Sequence, residues 1–242
     1  MVNIEFSGKT DVGLVRSNNE DTFVVNSEAV YCLVADGMGG AAAGETASQI
    51  FAQTAGEVFT PHSGTDETSV MSSVQETFQR ANDLILSHVT RHPEHTGMGC
   101  TAELMAFSSD GFVIGHMGDS RTYLFRDGLL RQLTKDHSFV QEQIDQGVIS
   151  PEQARSHKMR NVILRAVGVR PSLELDTICG TVLPNDMFLL CSDGLTDMVE
   201  DGNISNILKQ NGNLKDKTLR LVELAKEAGG KDNITVVLAQ SL

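Results

Sequence analysis

The chain has little cysteine, and none of it is paired in sequence. Cys32, Cys100, Cys179 and Cys191 form no C-x-x-C element, so a zinc ribbon, a disulfide framework and a dithiol redox site are all excluded, and the cysteines read as buried free thiols in a reducing compartment. Positive charge is also scarce. Nineteen Lys and Arg stand against 32 Asp and Glu, a formal charge of −13, which repels nucleic acid and anionic lipid. No apolar run approaches the roughly 18 residues of a membrane span. Met1–Phe6 lacks the basic-then-apolar order of a secretion signal. These absences predict a cytoplasmic protein with no nucleic-acid or membrane partner. Internal repeats and low-complexity tracts are missing too. The polar stretch from Thr60 to Thr68 reads as a loop, too short for a linker, so residues 1–242 are expected to form one domain, long enough to bury a large core without disulfides.

What is present is a succession of short apolar segments bounded by Gly, Asp, Asn or Ser. Thr22–Asn26, Val30–Ala35, Thr101–Phe107, Phe112–Met117, Thr122–Arg126, Leu173–Ile178, Met187–Cys191 and Ile234–Ala239 read as strands. Phe112–Met117, Thr122–Arg126 and Leu129–Leu133 read as a meander of antiparallel hairpins turned by Gly118–Arg121 and Asp127-Gly128. Three apolar stripes have helical spacing: Ala47 to Val58, Val70 to Val89, and Leu214 to Ala225, the last stopped by Gly229-Gly230. Strands follow strands and helices follow helices, which argues for antiparallel sheets covered by helices rather than a βαβ array.

The acids stand where these strands meet loops. Val30–Ala35 runs into Asp36-Gly37, Met187–Cys191 into Ser192-Asp193, and Phe112–Met117 into Gly118-Asp119, while Asp232-Asn233 immediately precedes Ile234. One Asp-Gly is most simply a turn. Four apolar strands meeting acids in this way can gather carboxylates at one sheet edge, and gathered carboxylates repel unless a cation lies among them. Oxygen ligands without His or Cys suit magnesium or manganese rather than zinc. Upstream, Arg16-Ser-Asn-Asn19-Glu20-Asp21 reads alone as an exposed turn. Beside a metal cluster, its guanidinium has the geometry to grip two phosphate oxygens.

Taken in order, Arg16-x-x-Asn19-Glu20-Asp21, Asp36-Gly-Met-Gly-Gly40, Gly99-Cys-Thr101-Ala102, Gly118-Asp-Ser-Arg121, Asp136-His-Ser138, Ser192-Asp-Gly194 and Gly230-Lys-Asp232-Asn233 resemble the PP2C-type metal-dependent protein serine/threonine phosphatases. The resemblance covers almost the whole chain. It implies an α+β fold, a four-layer α-β-β-α sandwich of two antiparallel sheets flanked by helices. It also implies two Mn2+ or Mg2+ ions per active site, with a weaker third. Asp36 would bridge both ions. Asp193 and Asp232 would complete one shell, and Glu20 with the Gly37 carbonyl the other. Asp119, with Asp193, would hold the third ion. Asp21 would orient the water, and Arg16 would grip the phosphate. Residues 140–165 resemble the family's flap beside the active site. The partners implied are phosphorylated proteins and a cognate serine/threonine kinase in a bacterial cell, with the chain acting as a monomer.

The sequence departs from familiar relatives in having Ala41 and Met38 where some carry histidine, and Lys158 where many flaps have proline. With no histidine at those positions, protonation of the leaving alkoxide is assigned to water, and His137 is expected to be structural. No cysteine lies in a C-x5-R loop, so thiol phosphatase chemistry has no support. Three rivals are weaker. Gly37-x-Gly39-x-x-Ala42 approaches a dinucleotide fingerprint, but Asp36 would face the pyrophosphate and no parallel strand follows. A degenerate, non-catalytic fold would be expected to lack some of the six acids, and all are present. A two-metal nuclease conflicts with the charge.

Overall fold

The computed structural model describes residues 3–39, 43–60, 64–109 and 111–242. Gly40, Ala41 and part of the predicted 60–68 loop lie outside the described residues.

Two antiparallel sheets face one another. The first has the order β1 (Ile4–Asp11), β11 (Ile234–Ser241), β10 (Met187–Cys191), β7 (Arg121–Arg126), β8 (Leu129–Gln132). The second has the order β2 (Asp21–Asn26), β3 (Tyr31–Met38), β5 (Ala102–Phe107), β6 (Gly111–Met117), β9 (Asp176–Thr181), with β4 (Gly99–Cys100) paired to the end of β3. The alternation of the strands sorts their side chains. One set, including Cys32, Val34, Met105, Ile114, Phe188, Leu190 and Val237, meets between the sheets. The opposite face of the second sheet packs Leu33, Leu104 and Val113 against α1 (Ala43–Val58) and α2 (Glu67–Arg91). The opposite face of the first packs Leu189, Val236 and Leu238 against the helical layer of α5 (Asp193–Thr196), α6 (Asp201–Lys209) and α7 (Leu214–Glu227). This is the expected four-layer α-β-β-α arrangement. A strand buried on both faces needs apolar residues at every position, which is why β3, β5, β6, β10 and β11 read as continuous runs.

Local signals fix the helix ends. Asp66 accepts the Ser69 amide at the start of α2, and Asn213 accepts the Asp216 amide at the start of α7. Between β8 and β9 the chain forms two short helices, α3 (Phe139–Asp145) and α4 (Pro151–Arg155), the latter with a Ser150/Gln153 capping box. They fall in the stretch read as a flap.

The expected three-strand meander is half right. Asp127 and Gly128, both at positive φ, turn the β7–β8 hairpin. However, β6 does not pair with β7, because β5 and β9 already occupy both its edges. Gly118 instead carries the chain from one sheet to the other at φ +118°, where a Cβ would meet Thr101 at 2.5 Å. The strand expected at Leu173–Ile178 lies at Asp176–Thr181, since Leu173 and Leu175 are used to pack on the helix-covered core. Cys179 is exposed on this edge strand, against the expectation of burial; the other three thiols are buried and free. Strand β1 was not predicted. Its alternating Ile4-Glu-Phe-Ser sequence is an edge strand, half covered, with all eight residues paired to β11.

Candidate active site

The two sheets bring the acids together from opposite layers. Asp21 opens β2 and lies directly across from Asp36 in the β2–β3 register. Asp36 is inside β3 rather than beyond its end, since the strand continues to Met38 through its pairing with β4. Its carbonyl accepts the Thr101 amide at 2.9 Å, and its own amide donates to Thr101 Oγ1 at 3.4 Å. From the other sheet, Asp193 begins α5 with only Ser192 between it and β10, and Asp232 stands two residues before the start of β11. Asp119 sits on the crossover beyond Gly118.

Their charges act on one another. Burial raises the Asp36 carboxyl well above its usual range, and the charges of Asp21, Asp193, Asp119 and Asp232 push it further. Burial likewise raises Asp193 well above that range, with Asp119, Asp197 and Asp232 adding to it. Asp119 is pushed up to about 7 by burial and by Asp136. Burial raises Asp21 to about 6, against the opposing pull of hydrogen bonds from Thr235 and Ser192. Four carboxyl groups that all resist ionisation in one place form a site shaped for positive charge.

Asp21 is the most firmly held. Ser192 Oγ donates to its Oδ2 at 2.8 Å and Thr235 Oγ1 at 2.6 Å, both buried. Its Oδ1 has no partner among the described residues, and neither has Asp193 Oδ1. Buried, unsatisfied carboxylate oxygens are costly without a counter-ion. The sequence reading missed the roles of Ser192 and Thr235, although their positions, flanking Asp193 and two residues past Asn233, were the available signal.

Glu20 is placed by its backbone. Its amide donates to Asn233 Oδ1 at 2.8 Å, and its carbonyl accepts the Gly37 amide at 3.1 Å. Asn233 also donates through Nδ2 to the carbonyls of Val12 and Asn18, clamping the loop that carries Arg16. The Glu20 carboxylate lies against Gly44, where an added Cβ would stand 2.6 Å from Oε2 and 2.7 Å from the Gly37 carbonyl carbon. Only glycine allows that approach. Arg16 is half exposed, and its Nη2 donates to Asp232 Oδ2 at 2.7 Å. Burial pulls the guanidinium down, but Asp232, with Asp36 and Glu20 behind it, carries it up overall.

Every sequence-predicted site residue therefore reaches this one end of the sandwich. Among the described residues, no three His, Cys, Asp or Glu side chains are already closed around a point as a finished cage. The acids are neighbours that repel one another.

His137 is engaged elsewhere. Its Nδ1 accepts the Gly118 amide at 3.2 Å, its own amide donates to the Gly118 carbonyl at 2.7 Å, and its Nε2 faces Asp176. The ring packs on His116, with centroids 4.5 Å apart. Beside the acids opens a cleft of about 730 Å3. Asp119 and Asp193 line it, as do Pro151 and Arg155 of α4. Arg155 crosses to Glu200 at 3.0 Å, so the α3–α4 segment is tied to the start of α6 at the cleft's rim.

Comparison with known proteins matches the sequence to one family and the fold to solved structures. The sequence model of the protein phosphatase 2C family matches residues 15–238. The serine/threonine protein phosphatase PstP of Mycobacterium tuberculosis is 40% identical over 239 residues, covering 98% of this chain but 45% of PstP, so the chain spans about half the length of that relative. The serine/threonine phosphatase stp of Listeria innocua is 36% identical over 241 residues, covering 96% of this chain and 94% of the relative. The crystal structure of the PstP catalytic domain in complex with two manganese ions superposes with a TM-score of 0.91 at 36% identity, with both chains fully covered.

Proposed function

The chain belongs to the protein phosphatase 2C family, and from that premise we propose that it hydrolyses phosphoserine and phosphothreonine esters of proteins at the acid cluster. The observation that carries the reading is the face-to-face register of Asp21 and Asp36, with Asp193 and Asp232 supplied from the opposite sheet and two buried carboxylate oxygens left without partners. Oxygen donors with unmet charge fit manganese or magnesium.

In this reading, Asp36, Asp193 and Asp232 would hold one divalent ion, Asp36, Glu20 and the Gly37 carbonyl a second, and Asp119 with Asp193 a weaker third. Bound ions of this kind supply Lewis-acid activation of water and neutralise phosphate charge. The chain's own groups do the positioning. Asp21, fixed at Oδ2 by Ser192 and Thr235, orients the attacking water. Arg16 stands at the rim with its Nη2 donating to Asp232, and exchanges that carboxylate for two phosphate oxygens gripped by its fork. His137 is held against Gly118 by its Nδ1 and its backbone amide, so the leaving alkoxide takes its proton from water. The adjoining cleft receives the polypeptide on either side of the phosphoresidue. The buried free thiols support a reducing, cytoplasmic setting in which the enzyme opposes a serine/threonine kinase.

Chelation followed by separate return of manganese, magnesium and calcium, with a phosphothreonine peptide and a phosphodiester as substrates, tests this. Manganese-restored turnover of the peptide alone is expected. Undiminished turnover after chelation, or preference for the diester, would refute it.

A further inference from the structure

A second group of ligating side chains lies apart from the acid cluster, at the far end of α2. His88 is in its last turn, His92 caps it, and His95 closes the 3₁₀ turn Pro93–His95 that follows. His88 Nε2 and His95 Nδ1 are 2.9 Å apart in nearly coplanar rings, 12° from parallel. His92 stacks over His88 with centroids 4.5 Å apart, and its Nδ1 faces Glu94 Oε1 at 3.3 Å. Three imidazoles and a carboxylate thus meet within eight residues of chain.

We propose that His88, His92 and His95 form a surface site for a borderline transition-metal ion of the zinc, nickel or copper class, with Glu94 orienting His92. The chemistry differs from that of the acid cluster. Imidazole nitrogen favours these ions, whereas all-oxygen sites favour magnesium and manganese. Histidines four apart at one helix face, as His88 and His92 are, have the spacing that grips zinc in helical metal sites. The Nδ1 of His92 directed at a carboxylate leaves Nε2 as the ligand atom, the arrangement that carboxylate partners impose on metal-bound histidines.

The His88–His95 contact shows how the ion enters. An N–H···N bond between imidazoles requires one bare lone pair. Burial lowers the proton affinity of His88, and the charges of His92, His95 and Arg91 lower it further, so the neutral ring is favoured. Tetrahedral zinc with Zn–N near 2.0–2.1 Å sets its nitrogens about 3.3 Å apart. The pair must open by only a few tenths of an ångström and tilt, while the donor ring changes tautomer, passing the shared proton through solvent to its other nitrogen, so that both facing lone pairs are free for the ion. Among the described residues no three such donors stand in a metal-binding arrangement, so binding requires the His92 ring to swing out of its stack on His88. His92 is about half exposed, so its ring has solvent beside it to turn into. The site also stands at the carboxyl-terminal pole of the 25-residue α2, where the helix dipole favours a cation. The Arg91 charge opposes it.

Zinc titration of the Asp36→Asn variant, whose acid cluster is disabled, isolates this site. Bound zinc is measured after gel filtration, and the imidazole Cε1–H resonances are followed by NMR. One zinc per chain is expected, with the resonances of His88, His92 and His95 shifting together. His92→Ala and His88→Ala should each weaken binding by at least roughly tenfold, and Glu94→Gln by roughly tenfold. Circular dichroism confirms that these surface variants fold. In the wild-type chain saturated with manganese, zinc should still raise Tm, and His92→Ala should abolish that rise. Equal zinc affinity in the histidine variants, or resonances that answer to pH but not to zinc, would overturn the proposal.

Discussion

The buried Glu103–His116 pair makes the stability of this protein depend on pH in a way that can be worked out in advance. Both side chains are fully buried, and Glu103 contacts His116 Nδ1 directly. Thr122 donates to the other carboxylate oxygen, and His116 Nε2 bonds the Lys135 carbonyl at 2.8 Å. Burial alone would lower the imidazole, but the Glu103 charge and hydrogen bond, aided by the Lys135 carbonyl, carry it up to about 9 from an ordinary 6.5. A group whose proton is held more tightly in the folded state stabilises fully below the unfolded value, and that stability is lost as pH rises through the folded one. The window is therefore pH 6.5 to 9, and the loss between 6.5 and 8.5 is about 2 kcal/mol. Urea unfolding of the chelated protein, extrapolated linearly at several pH values, reads this directly. Burial also raises the thiols of Cys32, Cys100 and Cys191, and Asp119 titrates near 7, so wild type must be compared with Glu103→Gln. The variant removes the charge that holds the proton on His116 and leaves the other groups in place. It should be less stable at pH 6.5 and lack about 2 kcal/mol of the wild-type slope. Parallel curves for the two proteins would refute the reasoning.

Asp36→Asn should abolish manganese binding and phosphatase turnover together, measured by calorimetry and peptide hydrolysis; retained full turnover would contradict the bridging role. Ser192→Ala and Thr235→Val each remove a hydrogen bond to the buried Asp21 carboxylate, worth about 1.5–3 kcal/mol, and should lower kcat more than they raise KM for a phosphothreonine peptide. Gly44→Ala drives a Cβ to 2.6 Å from Glu20 Oε2, and weaker manganese affinity in a folded protein is the expected result. His137→Gln should leave the acid limb of the pH–rate profile where it is; loss of a histidine-like limb would show that His137 supplies the leaving-group proton.

Strands buried on both faces announced themselves by composition. Val30–Ala35 and Met187–Cys191 are apolar throughout, and the acid after each run pointed to the site. Edge strands carry a weaker signal. Ile4–Asp11 is half polar because only one of its faces is covered, and Leu173 and Leu175 gave a strand-like pattern while serving as anchors for a loop. Short helices such as Asp201–Lys209 expose most of their surface and bury only Ile204, Ile207 and Leu208, too few for periodicity to single out. Pairing is the least legible feature. Nothing in Phe112–Arg126 tells whether the two strands share a sheet, since that depends on which neighbours claim the edges of β6. The same holds for Asp21. Its position next to Glu20 was visible, but the hydroxyls that fix it come from residues 171 and 214 positions away.

The acids are drawn from both sheets, with Asp21 and Asp36 on one and Asp193 and Asp232 beside the other. An ion seated among them would be a rivet through the sandwich, added to the hydrogen bonds from Ser192 and Thr235 to Asp21 and from Glu20 to Asn233 that already join the layers at this end. Loading with metal and alignment of the two layers would then be coupled, and amides around Asn233–Thr235 should exchange with solvent faster when the rivet is drawn.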